Sequence, residues 1–309
     1  MTVLAEGVAL VPATCGELLQ GVDGDGPILV SLPIDVDGTV RVTLTDEPEV
    51  SVSPALPKAT RALELALERT GWRRGVRVEL GGELPHGRGM GSSTADVAGV
   101  IGGVCACAGV TLTQAELLAL LVQVEPSDSS PLRGLWAIDH VGGTRACHLG
   151  PLPPNLFLAM VDSNEPLPTL DVHRTYGAGP RIPDGTVDAT QWHAPLALGR
   201  LATESALRNQ QRLPNPAFDV ARTVAERTGA AGVCVAHSGS VCAVICPAGI
   251  EQARSAQSEF ARAGHVATVV RAHAPGLRVR RADSSLSDSS RTRCADRPRC
   301  RRGRRSGCR

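Results

Sequence analysis

Residues 84–99 read LPHGRGMGSSTADVAG, with three glycines at alternate positions followed by two serines and a threonine. Glycine takes positive-φ turns at no steric cost, so such a run can curl until several backbone N–H groups face one point. From Ser93 the sequence STADVAGVIGGVCACAG is small and apolar on nearly every side, the pattern of a buried helix. A helix start leaves N–H donors free at the positive end of the macrodipole. Both halves of an anion site are therefore present, although a flexible loop with a serine cap gives the same local pattern.

Two familiar nucleotide loops are excluded. A Walker loop needs Gly-Lys-Ser/Thr, and the chain's one lysine is Lys58, in a predicted surface helix. GxGxxG with an acidic residue after the following strand is also missing.

Outward from the loop, GVALVPATCGELLQG, PILVSLPIDV and TVRVTLTD are β-branched or alternating, with GDG and DG as turn signals between them. LPKATRALELALERTGW spaces leucines along one helical face and stops at Gly71, and GVRVEL alternates as a strand. TLTQAELLALLVQVE sets Thr113 and Glu116 in capping-box relation. Residues 135–150 read as short strands, and PLPPN at 151–155 is the first clear breaker between larger units. Beyond it the pattern predicts strand LFLAMVD, helices near 194–211 and 216–229, strands AGVCVAH and VCAVIC, a helix near 249–263 and strand VATVV. The expectation is an α+β protein with domains at 1–150 and 151–274.

From Pro275 the chain turns to Arg, Ser and Asp with few apolar residues, too few to offset the entropy of ordering, so 275–309 is expected to be a disordered tail. It carries twelve arginines and three aspartates, so the net charge of +1 over 309 residues leaves residues 1–274 at −8. An acidic body repels phosphate backbones, and no nucleic-acid partner is expected. With 42% hydrophobic residues, no apolar run of membrane-spanning length and no leader pattern, the expectation is a soluble cytoplasmic protein. The ten cysteines show no CxxC pair, and Cys105 and Cys107 face different sides of a helix, which points to free core thiols. Cys294, Cys300 and Cys308 lack a fourth zinc ligand.

Three stretches share one resemblance. Pro85 through Gly89, Met90, Gly91, Ser92, Ser93 and Thr94 resembles the second motif of the GHMP kinases, the superfamily of galactokinase, homoserine kinase, mevalonate kinase and phosphomevalonate kinase. PATCGELLQG at 12–21 is similar to its first motif and AHSGSVCAVI at 236–245 to its third. Together with VEPSDSSPLRGLWAIDH and DVHR, they resemble the L-threonine kinases of cobalamin biosynthesis over roughly residues 8–272. The resemblance implies an N-terminal ribosomal-S5-domain-2-like domain, a C-terminal ferredoxin-like sandwich, and ATP and Mg²⁺ as cofactors. It implies phosphorylation of the hydroxyl of L-threonine, a small amino-acid substrate, to O-phospho-L-threonine, with another acceptor such as homoserine or an amino alcohol, or a non-catalytic nucleotide-binding regulator, as alternatives.

The resemblance also implies roles. Pro85, Gly87, Arg88, Gly89, Met90, Gly91, Ser92, Ser93 and Thr94 would hold ATP, and Ser93 and Glu125 would bind the metal; the loop departs from the family pattern over Pro85–Arg88, where Arg88 is expected to compensate by facing phosphate. Ser92 and Glu125 stand among the catalytic residues. Asp139 is ranked ahead of Asp128 for the alcohol proton, with His140 weaker, although either Asp can instead cap a turn. Thr14, Cys15, Gly16, Glu17 and Gly239 would line the acceptor and cleft, Glu17 facing an amino group. Cys15 needs no covalent role in phosphoryl transfer, and His173 and Arg174 are candidates for a substrate carboxylate.

Overall fold

The computed structural model describes residues 2–82, 84–163, 179–183, 186 and 192–282. His173, Arg174 and residues 283–309 therefore lie outside the described residues.

Strands β1 (Val3–Asp23) and β2 (Gly26–Thr45) form one long antiparallel hairpin around the GDG turn. Its register slips between Pro12 and Thr14, Thr14 and Glu17, and Glu17 and Leu19. Such bulges re-aim side chains beside functional sites, and here they fall on the first motif. Gly16 has φ +73, and a Cβ on it would lie 2.4 Å from the backbone of Val235. No larger residue allows β1 to approach the second half of the chain this closely.

Helix α1 (Pro57–Thr70) starts on a proline and, as the sequence predicts, ends at Gly71, which takes the left-handed region. Helix α2 (Ser92–Cys107) is buried on all residues but Ser93, Asp96 and Ala106. Its Gly99 and Gly103 let it lie flat on Val40 and Val42 of β2, where a Cβ would come within 2.4 and 2.7 Å. The helix cannot shift along the sheet without opening that contact, and its N-terminus is thereby fixed. Helix α3 (Gln114–Leu121) carries the expected capping box, Glu116 N–H donating to Thr113 Oγ1 at 3.2 Å and Thr113 N–H to Glu116 Oε2 at 2.9 Å. β3 (Val50–Ser53), β4 (Gly75–Gly81), β5 (Leu135–Ile138) and β6 (Ala146–Gly150) complete the first half.

Past PLPPN come β7 (Phe157–Asp162), α4 (Pro195–Gln210), α5 (Phe218–Thr228), β8 (Gly232–Val235), β9 (Val241–Cys246), α6 (Ile250–Arg262) and β10 (Ala267–Arg271). The expected α+β alternation is present. The two halves share one sheet, in the order β10-β7-β9-β8-β1-β2-β4-β3, joined at the pair Glu17–Val235. A second apolar cluster built on Phe218, Phe260 and Val244 packs α5 and α6 on the β7–β10 strands.

The tail expectation begins too early. Residues Arg278–Arg281 form strand β11, paired with Gly7–Leu10 of β1. Leu277, and Val279 between two arginines, pack against the core, and the free edge of β1 supplies the hydrogen bonds. Two apolar side chains and a ladder suffice where composition averaged over the whole tail suggested none. Among the described residues no helix is long and apolar enough to cross a membrane.

Candidate active site

The loop preceding α2 has the predicted backbone. Gly87, Gly89 and Gly91 take φ +74, +78 and +69, and Gly91 caps α2 with no side chain bonded to the helix N-terminus. The first-turn N–H donors of Ser92, Ser93 and Thr94 are thus left for a ligand. Two neighbours hold the loop in shape. Thr14 N–H donates to Met90 O at 3.0 Å, and Thr14 Oγ1 donates to Gly89 O at 3.4 Å. From the other side, a Cβ on Gly239 would lie 2.3 Å from Gly89 N, and one on Gly89 would lie 2.2 Å from the Ala236 Cβ. All three motifs therefore meet at this loop.

Arg88 does not turn to the loop interior as expected. Its guanidinium reaches Asp162 at the end of β7 at 3.5 Å, and its carbonyl accepts from Ser240 and Val241 N–H, each at 3.1 Å. Asp162, which also accepts from Ser240 Oγ, has no local sequence signal marking it as Arg88's partner. Pro85 and His86 sit at the loop's entrance, with His86 Nδ1 3.4 Å from Ser92 Oγ.

Ser93 Oγ donates to Glu125 Oε1 at 2.6 Å, so the two residues expected at the metal do meet. The Glu125 side chain is only 10% exposed, and an ammonium already balances its charge: Lys58, from the first turn of α1, pairs with it and lies 3.2 Å from Ser93 Oγ. The sequence reading left Lys58 on the surface. Two signals were available: it is the chain's sole lysine, and it stands at a helix start, where a cation is disfavoured by about 0.3–1 kcal/mol.

Beside the loop lies an acidic cluster of buried Glu17 and half-buried Asp128. Asp128 N–H donates to Thr94 Oγ1 at 3.2 Å, its Oδ1 accepts from Ser31 Oγ at 3.2 Å, and its Oδ2 lies 2.9 Å from where a Gly91 Cβ would be. Burial pushes the Asp128 carboxyl up to about 6, helped by the charge of Glu125, while hydrogen bonds from Ser31 and Thr94 pull it back only in part. Glu17 is raised well above the usual carboxylate range, first by burial and then by the charge of Asp128, although His237 N–H donates to it at 2.7 Å. A buried polar chain continues from there. The His237 ring lies 3.4 Å from Ser205 Oγ, Ser205 Oγ accepts from Gln20 N–H at 3.1 Å, and the Gln20 amide is 3.5 Å from His140 Nε2. Burial lowers His237 to about 3, so the ring stays neutral.

Asp139 is placed otherwise. Its carboxylate accepts from the N–H groups of Val141, Gly142 and Thr144 and from the Thr144 hydroxyl at 2.7–3.2 Å, closing the turn after β5. Burial alone raises its pKa, but these donors hold it below the ordinary Asp value. Asp139 therefore takes the turn-capping place that the sequence left open for either aspartate. Cys15 is fully buried, and its contact with Cys234 and its burial raise its pKa well above the free thiol, which leaves no reactive thiolate.

This fold and loop define a phosphotransferase of the two-half type. GHMP kinases N terminal domain matches residues 57–132 and GHMP kinases C terminal matches residues 188–264. The chain is 33% identical over 244 residues to the L-threonine kinase of Salmonella typhimurium, covering 76% of this chain and 81% of that protein. It is 34% identical over 248 residues to the L-threonine kinase of Citrobacter freundii, covering 76% and 84%. The chain belongs to the GHMP kinases. Its fold is similar to homoserine kinase from Cytophaga hutchinsonii (TM-score 0.65, 17% identity, 91% of this chain and 99% of that one). It is also similar to the Methanococcus jannaschii mevalonate kinase (TM-score 0.64, 14% identity, 86% and 98%).

Proposed function

We propose that this chain transfers the terminal phosphoryl group of ATP to the hydroxyl of L-threonine, giving O-phospho-L-threonine for the aminopropanol arm of cobalamin synthesis. The observation that carries this reading is the meeting of two unlike sets of groups. The glycine loop, the free α2 N-terminus and Lys58 lie beside the carboxyl groups of buried Glu17 and half-buried Asp128, whose Oδ2 is 2.9 Å from where a Gly91 Cβ would be. The first set suits a polyphosphate and the second an acceptor bearing an ammonium group. The activity of the two relatives supports threonine as that acceptor.

In this reading the backbone of residues 87–93 wraps the ATP phosphates, with residues 1–150 supplying most of the donor side and 151–274 closing the cleft. Glu17 binds the acceptor amino group, and Thr14, Gly16 and Gly239 shape the cleft around it. The threonine oxygen attacks phosphorus, the bond to ADP breaks, and the hydroxyl proton passes to Asp128. A carboxyl pushed up to about 6 is a better proton acceptor than an ordinary aspartate, although a dissociative transition state asks little of a base.

A divalent cation fits the donors present. Ser93 Oγ and Glu125 are hard oxygen ligands in contact, and the carboxylate already draws a cationic partner. Among the described residues no three His, Cys, Asp or Glu side chains cluster to hold an ion unaided, so Ser93 and Glu125 would complete the shell of Mg²⁺ carried in on the nucleotide. Bound there, it supplies charge neutralisation on the phosphate oxygens.

The test is a coupled ADP-release assay across L-threonine, L-serine, L-homoserine and 1-amino-2-propanol. ADP release dependent on L-threonine and Mg²⁺, and lost in Glu125→Ala, is the expected result. Nucleotide binding with no release for any acceptor overturns the kinase reading, and preference for homoserine overturns the choice of threonine.

A further inference from the structure

The chain has 32 lysines and arginines, of which Lys58 is the only lysine. We propose that Lys58 is a nucleotide-contacting residue whose ammonium binds the terminal phosphates of ATP and shares Glu125 with the divalent cation. The proposal rests on the ATP-kinase reading above and adds a residue that none of the three motifs contains.

The geometry is local and direct. Lys58 Nζ is 3.2 Å from Ser93 Oγ and ion-paired with Glu125, while Ser93 stands in the first turn of α2 beside the free N–H donors. A phosphate oxygen hydrogen-bonded to those donors lies within a few ångströms of Nζ. The Lys58 side chain is 46% exposed, so its stem can swing by that amount without moving backbone or core.

Balancing the largely buried Glu125 accounts for a cation here but not for its being the chain's one lysine, and the start of α1 opposes a cation; its first turn contains no acidic residue. The side-chain type fits the task. An ammonium sends three donors from one atom, so it can keep Ser93 while exchanging a carboxylate oxygen for a phosphate oxygen. A guanidinium, the cation used everywhere else in this chain, is a planar fork that binds its partners as a fixed set.

The experiment titrates AMP, ADP and ATP into the full chain by calorimetry in EDTA, for wild type and Lys58→Met, which keeps the stem and removes the charge. The expected result is a loss for ATP on the order of tenfold, the scale of one charge-assisted hydrogen bond, with a smaller loss for ADP and AMP unchanged. AMP binding also reports that the variant is folded. Equal losses for all three nucleotides, or none for ATP, overturn the proposal.

A second readout uses the sole lysine. Amine-reactive acylation mapped by mass spectrometry is expected to mark Lys58 less when ATP is present in EDTA and equally when AMP is. Labelling unchanged by ATP overturns the proposal. Failure of wild type to bind ATP at all overturns the kinase reading, whereas equal binding by wild type and Lys58→Met overturns the role of Lys58 alone.

Discussion

The turn after β5 and the acidic cluster beside the glycine loop each hold an aspartate, and the protein treats the two carboxyl groups in opposite ways. Asp139 accepts four hydrogen bonds from residues just after it and is held below its ordinary pKa. Asp128 accepts from Ser31, sits near a second buried acid in Glu17, and is pushed up to about 6. A carboxylate surrounded by donors builds structure. One whose charge is poorly compensated costs stability, and the fold retains that cost where a ligand can make use of it.

The largest expected effect is on turnover. Asp128→Asn should lower kcat by about 100-fold or more in the ADP-release assay while the protein still folds. Activity within a fewfold of wild type would place the proton elsewhere and break the comparison. Asp139→Ala orphans three backbone donors and should cost about 2–4 kcal/mol in urea unfolding, with kcat per folded molecule near wild type. A variant that is stable but inactive would restore Asp139 as the base.

Next in size is the pH dependence of stability. The folded pKa of Asp128 is raised, so from about pH 4 to about pH 6 the unfolded chain releases its proton first and wild-type stability falls. Asp128→Asn removes that loss and should gain on wild type as pH rises across this window. Asp139 has the opposite sign: its stabilisation is present above the unfolded pKa and is lost as pH falls through the depressed folded value. The deficit of Asp139→Ala should therefore shrink in acid. Urea midpoints at several pH values check both signs, and parallel curves for wild type and Asp128→Asn would sink the first. Smallest of all, Cys15→Ala should keep kcat within about threefold, since that thiol is buried and protonated. A much larger kinetic loss would give Cys15 a role in the chemistry.

Why the sequence alone could not separate the two aspartates follows from where their partners lie. The donors to Asp139 come from Val141, Gly142 and Thr144, so the local string DHVGGT already held the signal of a capped turn. The partners of Asp128 come from β2 and α2, and no local window joins Ser31 and Thr94 to it. Arg88 was misread for the same reason, since Asp162 approaches it through the sheet from β7. The glycine loop, α1, α2, α3 and the second-half elements were legible because periodicity, caps and positive-φ residues are local properties. Strand β11 escaped because composition over the whole tail hid Leu277 and Val279.

The Arg88 carbonyl, shared by the N–H groups of Ser240 and Val241, also limits how this cleft can move. It ties the glycine loop to Ser240 and to Val241 at the start of β9, so lifting the loop as a lid breaks both hydrogen bonds, at about 1 kcal/mol each. Opening that keeps them moves the loop and β9 together. The second half of the chain is in this sense a handle on the first.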